Sequence, residues 1–132
     1  MLRHLNQAIL SLAPAFDARD HAPASFSELR QCERMVVWAG ASERTIYRDP
    51  RVNWAFRAWH DAAHLAIDAP FTLAGERAAC EYQIAELLRA FPCAPASAVH
   101  LIRREVIGQA EHFAATGQFP ADQIAFHSLK GT

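Results

Sequence analysis

The chain of 132 residues has one lysine (Lys130), five glycines and three cysteines, and no apolar run near the roughly 18 residues a membrane span needs. Each shortage excludes something. Basic and acidic side chains number 13 and 14, a formal net charge of −1. That balance argues against a nucleic-acid or membrane-surface partner, since either would call for a basic field. Cys32, Cys80 and Cys93 are odd in number and none is spaced Cys-x-x-Cys, so neither a disulfide frame nor a thiolate zinc site is expected. They read as reduced thiols of a cytoplasmic protein. There is no glycine-rich phosphate loop and no serine in a nucleophile elbow. The opening residues, Met1 to Gln7, turn polar too early for a signal peptide.

What remains is 52% hydrophobic and 20% charged, enough to build one packed domain over residues 1–132. Leu2, Leu5, Ile9 and Leu12 predict a helix that Pro14 ends. The polar stretch from Asp17 to Pro23 is turn-like, so residues 1–22 are expected to form a loosely packed N-terminal arm. Ser25 and Glu28 make a capping box for a helix to about Ala39, stopped by Gly40. Within it, Met35-Val36-Val37-Trp38 would suit a buried strand, but no other segment offers a partner, so it is read as helix. Asp49-Pro50 starts a helix to about Ile67. Thr72 caps the next, which ends before Pro92, and a further helix spans Ser97 to Thr116. Gly108 inside that helix predicts a close crossing. Pro120 opens a short last helix through His127. The expected fold is all-α: a single-domain bundle of about five helices joined by short loops, with Trp38, Trp54 and Trp59 in its core.

Seven histidines are many for so short a chain. His60 and His64 lie four residues apart on one helix, where both imidazoles can reach one ion. His-x-x-x-His helices of zinc peptidases use this spacing, with an acidic residue beside the first His acting on water that the metal activates. Here that residue is Asp61. Glu76 opens the next helix on the stripe of Cys80, Ile84 and Leu87, and a carboxylate on an apolar stripe needs a partner. A cation held by His60 and His64 supplies one; Arg57 or Arg77 are the alternatives. Two His and one carboxylate leave a position open, as in catalytic sites. His112, Glu105, Cys80 or water could fill it. Arg44, Arg48, Arg51 and Arg57, with Arg103-Arg104, fit a salt-bridged surface better than a phosphate grip, given the balanced charge.

Phe56-Arg57-Ala58-Trp59-His60-Asp61, then His64, Phe71 and Gly75-Glu76-Arg77-Ala78-Ala79, resembles a motif of uncharacterised phage- and prophage-encoded candidate metalloproteins: F-R-x-x-H-D, a second His, F and G-E-x-x-A. The resemblance covers about residues 56 to 83 and implies a metal site at His60, His64 and Glu76 without naming a reaction. Members of that family space the two histidines one residue wider, with a glycine before the second, and this chain has no such glycine. A weaker similarity is to HD-domain nucleotide hydrolases, through His60-Asp61, His64, Pro70-Phe71 and Gly75-Glu76. It implies an upstream His (His21 or His4) and a downstream Asp (Asp122) as further ligands.

The reading that follows is a small cytoplasmic protein binding one divalent ion, zinc by ligand chemistry, and acting as a metal-dependent hydrolase. His60, His64 and Glu76 are the ligands, and Asp61 is the general base or a residue that orients a ligand from behind. The competing readings are a non-enzymatic helical interaction or accessory protein of a phage or mobile element, and an HD-type nucleotide phosphohydrolase. No substrate, partner or oligomeric state is legible.

Overall fold

Five helical rods and one short strand pair account for the regular structure in a computed structural model that describes residues 2–40, 42, 45 and 47–116. The all-α expectation holds. Helix α1 (Leu2–Leu12) ends where Pro14 forbids continuation. It is no loose arm: Leu5, Ala8 and Ile9 lie in the core, and the Asn6 side-chain amide donates to the Tyr47 carbonyl at 3.0 Å.

The chain then departs from expectation. Asp17–Arg19 forms strand β1, and after α2 (Phe26–Gln31) the chain forms strand β2 (Val36–Trp38), which pairs with β1 in parallel. Asp17 stands opposite Val36, Ala18 opposite Val37 and Arg19 opposite Trp38. The capping box forms: Ser25 Oγ accepts from the Glu28 amide, while Glu28 Oε2 accepts from the Ala24 amide. The helix expected to reach Ala39 nevertheless stops at Gln31, and Cys32 is already extended, with φ −74° and ψ 129°. The β-branched pair Val36-Val37 takes the conformation it favours. Val37 is buried, whereas Trp38 is 43% exposed and not a core residue; Trp54 is half-buried, and of the three tryptophans only Trp59 is fully inside.

Helices α3 (Pro50–Ile67) and α4 (Leu73–Ala90) form the central pair, with α1 packed on both. Helix α5 (Ala96–Arg103) runs through a π-helical turn (Arg104–Gly108) into α6 (Gln109–Thr116), so the expected single helix is one rod with an irregular turn that Gly108 closes. That rod crosses α4 and turns Glu105 and Val106 inward. The core joins Leu5, Ile9, Tyr47, Phe56 and Trp59 to Ile84, Leu87, Ile102 and Val106. The helix expected over Pro120 to His127 lies outside the described residues. Among those residues no helix is long and apolar enough to cross a membrane.

Candidate metal centre

The central pair is built so that the end of one helix meets the start of the other. Asp49 caps α3, its carboxylate accepting from the Arg51 amide at 3.0 Å, and Pro50 occupies the first turn, where its missing N–H costs nothing. Val52, Phe56, Trp59 and Ala63 then fall on the buried stripe, and His60 and His64 flank it. Asp68 ends the helix in the left-handed region (φ 54°), letting the Ala69 amide return to the His64 carbonyl at 3.0 Å. Thr72 caps α4 through the Gly75 amide. A side chain at Gly75 would collide with the Pro70 carbonyl oxygen, so only glycine lets the turn fold this closely onto α4. Glu76 is thereby delivered beside the two histidines. Trp59 Nε1 donates to Glu86 at 3.1 Å and His60 meets Gln83 further along the same antiparallel seam.

Three atoms converge there. His60 Nε2 lies 2.6 Å from Glu76 Oε2, and His64 Nε2 lies 3.1 Å from both. The other ring nitrogens are committed. His64 Nδ1 faces the Ala69 carbonyl oxygen at 2.8 Å and His60 Nδ1 faces Gln83 Oε1 at 2.7 Å. A carbonyl oxygen can only accept, so both Nδ1 atoms donate. In the neutral rings both Nε2 atoms then carry lone pairs, aimed at each other and at a carboxylate oxygen. Three acceptors cannot share so small a space without a cation among them. Either a proton on an imidazole or a metal ion meets the need.

The three donor atoms stand 2.6 to 3.1 Å apart, somewhat closer than the roughly 3.3 Å edge of a tetrahedral zinc site, so an ion bound there would spread them by a few tenths of an ångström. The donor set, two imidazoles and a carboxylate within reach of one ion, is a possible metal site. Each histidine also gives its second N–H to a carbonyl, which is how protein metal sites fix ring orientation. Phe71 packs edge-on against His64 with ring centroids 4.9 Å apart, and Phe56 stacks near His60.

The electrostatics follow. Burial alone would raise Glu76, but hydrogen bonds and charge from His60 and His64 hold it at about 2. His60 shows the reverse balance: burial pulls it down, and contact with Glu76 more than offsets this, leaving it raised. Asp61 makes no part of the triangle. Burial lifts its carboxyl to about 6, against the pull of His60, His64 and Arg57. It faces a cavity of about 590 Å³, together with His60, Glu76, Arg57 and Glu105 among largely apolar walls such as Phe56, Leu73 and Phe113.

Both cations weighed as partners for Glu76 are engaged elsewhere. Arg57 donates to the Trp38 and Gly40 carbonyls, the latter at 2.7 Å, and lies over the Trp38 ring. Arg77 pairs with Glu111 at 3.8 Å. Of the phosphate-grip candidates, Arg51 is held by Asp49 and Arg103 by Glu81, as a salt-bridged surface requires. Among the described residues, the fourth-ligand candidates do not join the cluster. Cys80 is buried in the core, which pushes its thiol up to about 12. Glu105 lies on the π-helical turn and shares the cavity, and His112 stands on α6. His4 and His21 are exposed, His21 against Asp20, and Asp122 lies outside the described residues, so the described residues do not assemble the HD-type ligand set. Sequence reasoning missed Gln83 and the Ala69 carbonyl. Gln83 had a signal: it falls two turns after Glu76 on the same inward stripe. A backbone carbonyl has none.

Comparison with protein-family models, with curated proteins and with solved structures gives no match for this chain.

Proposed function

We propose that this chain binds one divalent metal ion through His60, His64 and Glu76 and is a metal-dependent hydrolase acting on a substrate held in the adjoining cavity. The observation that carries this is the convergence of three lone-pair donors whose remaining ring nitrogens are both spent on carbonyl acceptors. Zinc fits the donor chemistry, two imidazole nitrogens and one carboxylate with room for a further ligand. Bound there, a zinc ion would supply Lewis-acid polarisation and activation of water. The protein's own part is positional. Ala69 and Gln83 aim the two rings, Gly75 lets Glu76 approach, and Asp61 projects into the cavity next to His60. A carboxylate in that place is suited to accept the proton of an attacking water. The apolar walls around it exclude solvent and hold an apolar portion of the substrate. The resemblance of residues 56 to 83 to a motif of phage- and prophage-encoded candidate metalloproteins supports the same ligand set.

Metal analysis of protein purified without a histidine tag tests the reading. About one zinc per chain is expected, lost in His60→Ala. A content near zero in wild type, unchanged by that substitution, refutes it and favours a helical interaction protein. With metal content preserved, Asp61→Asn should abolish hydrolysis of any ester or amide probe the wild type turns over; full turnover would remove Asp61 from the mechanism.

A further inference from the structure

Gln83 is wholly buried on α4, and its two amide atoms fare differently. Oε1 meets His60 Nδ1 at 2.7 Å, while Nε2 is buried with no hydrogen-bond partner among the described residues. A buried, unsatisfied amide is destabilising, and a leucine or methionine would fill the same volume without that penalty. Among the described residues, the contact with His60 is what Gln83 offers that an apolar side chain would not.

We propose that Gln83 is a positioning residue for a metal site. By accepting the Nδ1 proton of His60 it holds that ring in the tautomer whose Nε2 lone pair is open towards His64 and Glu76. The inference rests on the metal-binding reading and deepens it. The two histidines are oriented by different means. The Ala69 carbonyl oxygen fixes His64, and a backbone carbonyl can only accept. A glutamine can present either end. Turned the other way, its NH₂ would donate to Nδ1, the ring proton would move to Nε2, and that nitrogen would be closed to a cation. The orientation seen here leaves the NH₂ orphaned and the ligand nitrogen free. The orphaned group is therefore the counterpart of an acceptor directed at His60.

Two measurements decide it. Long-range ¹H–¹⁵N correlation spectra of the zinc-loaded wild type read the His60 tautomer directly. A protonated Nδ1 with zinc at Nε2 is expected, and zinc at Nδ1 would overturn the proposal. Zinc affinity by competition with a chromogenic chelator should fall about 10- to 100-fold in Gln83→Met, which keeps length and burial but cannot accept. Gln83→Glu, which keeps the acceptor and has no orphaned NH₂, should bind within a few-fold of wild type. Gln83→Met binding as tightly as wild type would dismiss Gln83 while leaving the metal site standing. A wild type that takes up no zinc would end both readings at once. If Gln83→Met does not fold, the tautomer of the wild type still gives the answer.

Discussion

Glu76→Gln separates a built metal site from a coincidence of histidines, because it keeps shape and removes charge. In the wild type Oε2 touches both Nε2 atoms, and the side chain is 22% exposed. Consider first the protein stripped of metal. There Glu76, lowered to about 2 by its contacts with His60 and His64, pairs with the raised His60, so the carboxylate stabilises the fold even without an ion. A glutamine NH₂ can donate to one Nε2 instead, so the stripped variant should fold but be slightly less stable than stripped wild type. Zinc should widen the difference. At a free zinc concentration 1,000 times Kd, binding to the folded state alone stabilises by about 4 kcal/mol. For a domain of this length a kilocalorie moves Tm by roughly 4 °C, so wild type should gain about 15 °C. Loss of the anionic ligand should loosen binding at least 100-fold and remove about 2.7 kcal/mol of that gain, leaving a shift of roughly 5 °C. Differential scanning fluorimetry with matched chelator and zinc series measures both numbers. A variant that keeps the full shift removes Glu76 from the ligand set. A wild type with no shift removes the site.

Gly75→Ala should destabilise the protein by about 2 kcal/mol, roughly 8 °C in Tm, because the new methyl meets the Pro70 carbonyl and pushes Glu76 away from His60. Chemical denaturation checks it, and a variant as stable as wild type would mean the turn can yield without cost. The stripped protein should lose stability as pH rises from about 5 to 8. Asp61 is raised from 3.8 to about 6 by burial and His60 is raised above 6.5 by Glu76, so the folded state holds more protons across that range. Below about pH 4.5 the trend reverses, because Glu76, lowered to about 2, contributes stability that is lost as acid protonates it. Zinc must displace the proton at His60, so the zinc-induced shift should widen from pH 5.5 to 7.5; a shift constant over that interval would place the zinc on groups other than these.

Much of this was legible because the informative residues act locally. Asp49-Pro50, Thr72 and Pro92 mark helix ends through capping geometry and a missing N–H, and α3 and α4 begin and end where those residues say. The juxtaposition of His60, His64 and Glu76 was legible for the same reason: i, i+4 spacing on one helix, then a short turn to the next. What failed was non-local. Val36–Trp38 pairs with Asp17–Arg19 across an intervening helix, and three residues, Asp17-Ala18-Arg19, are too few for their alternation to announce a strand. That error had a second consequence, because the polar stretch read as a tether is the strand that helps anchor the N-terminal region. The placement of Trp38 was also invisible, since its partner Arg57, which lies over its ring and donates to the Trp38 and Gly40 carbonyls, is distant in sequence.

The interaction-protein alternative can be weighed against the same atoms. A histidine pair that merely packs a helix junction needs one satisfied nitrogen per ring, with the other left to solvent or unprotonated against apolar neighbours. Here all four ring nitrogens are engaged, and the two not spent on carbonyls converge on a carboxylate. A single cation among those atoms answers the crowding, and it can be a proton on His60 or a metal ion. The two occupants respond oppositely to added zinc and chelator: a metal site gains stability from zinc, whereas a proton-bridged helix junction is indifferent to both.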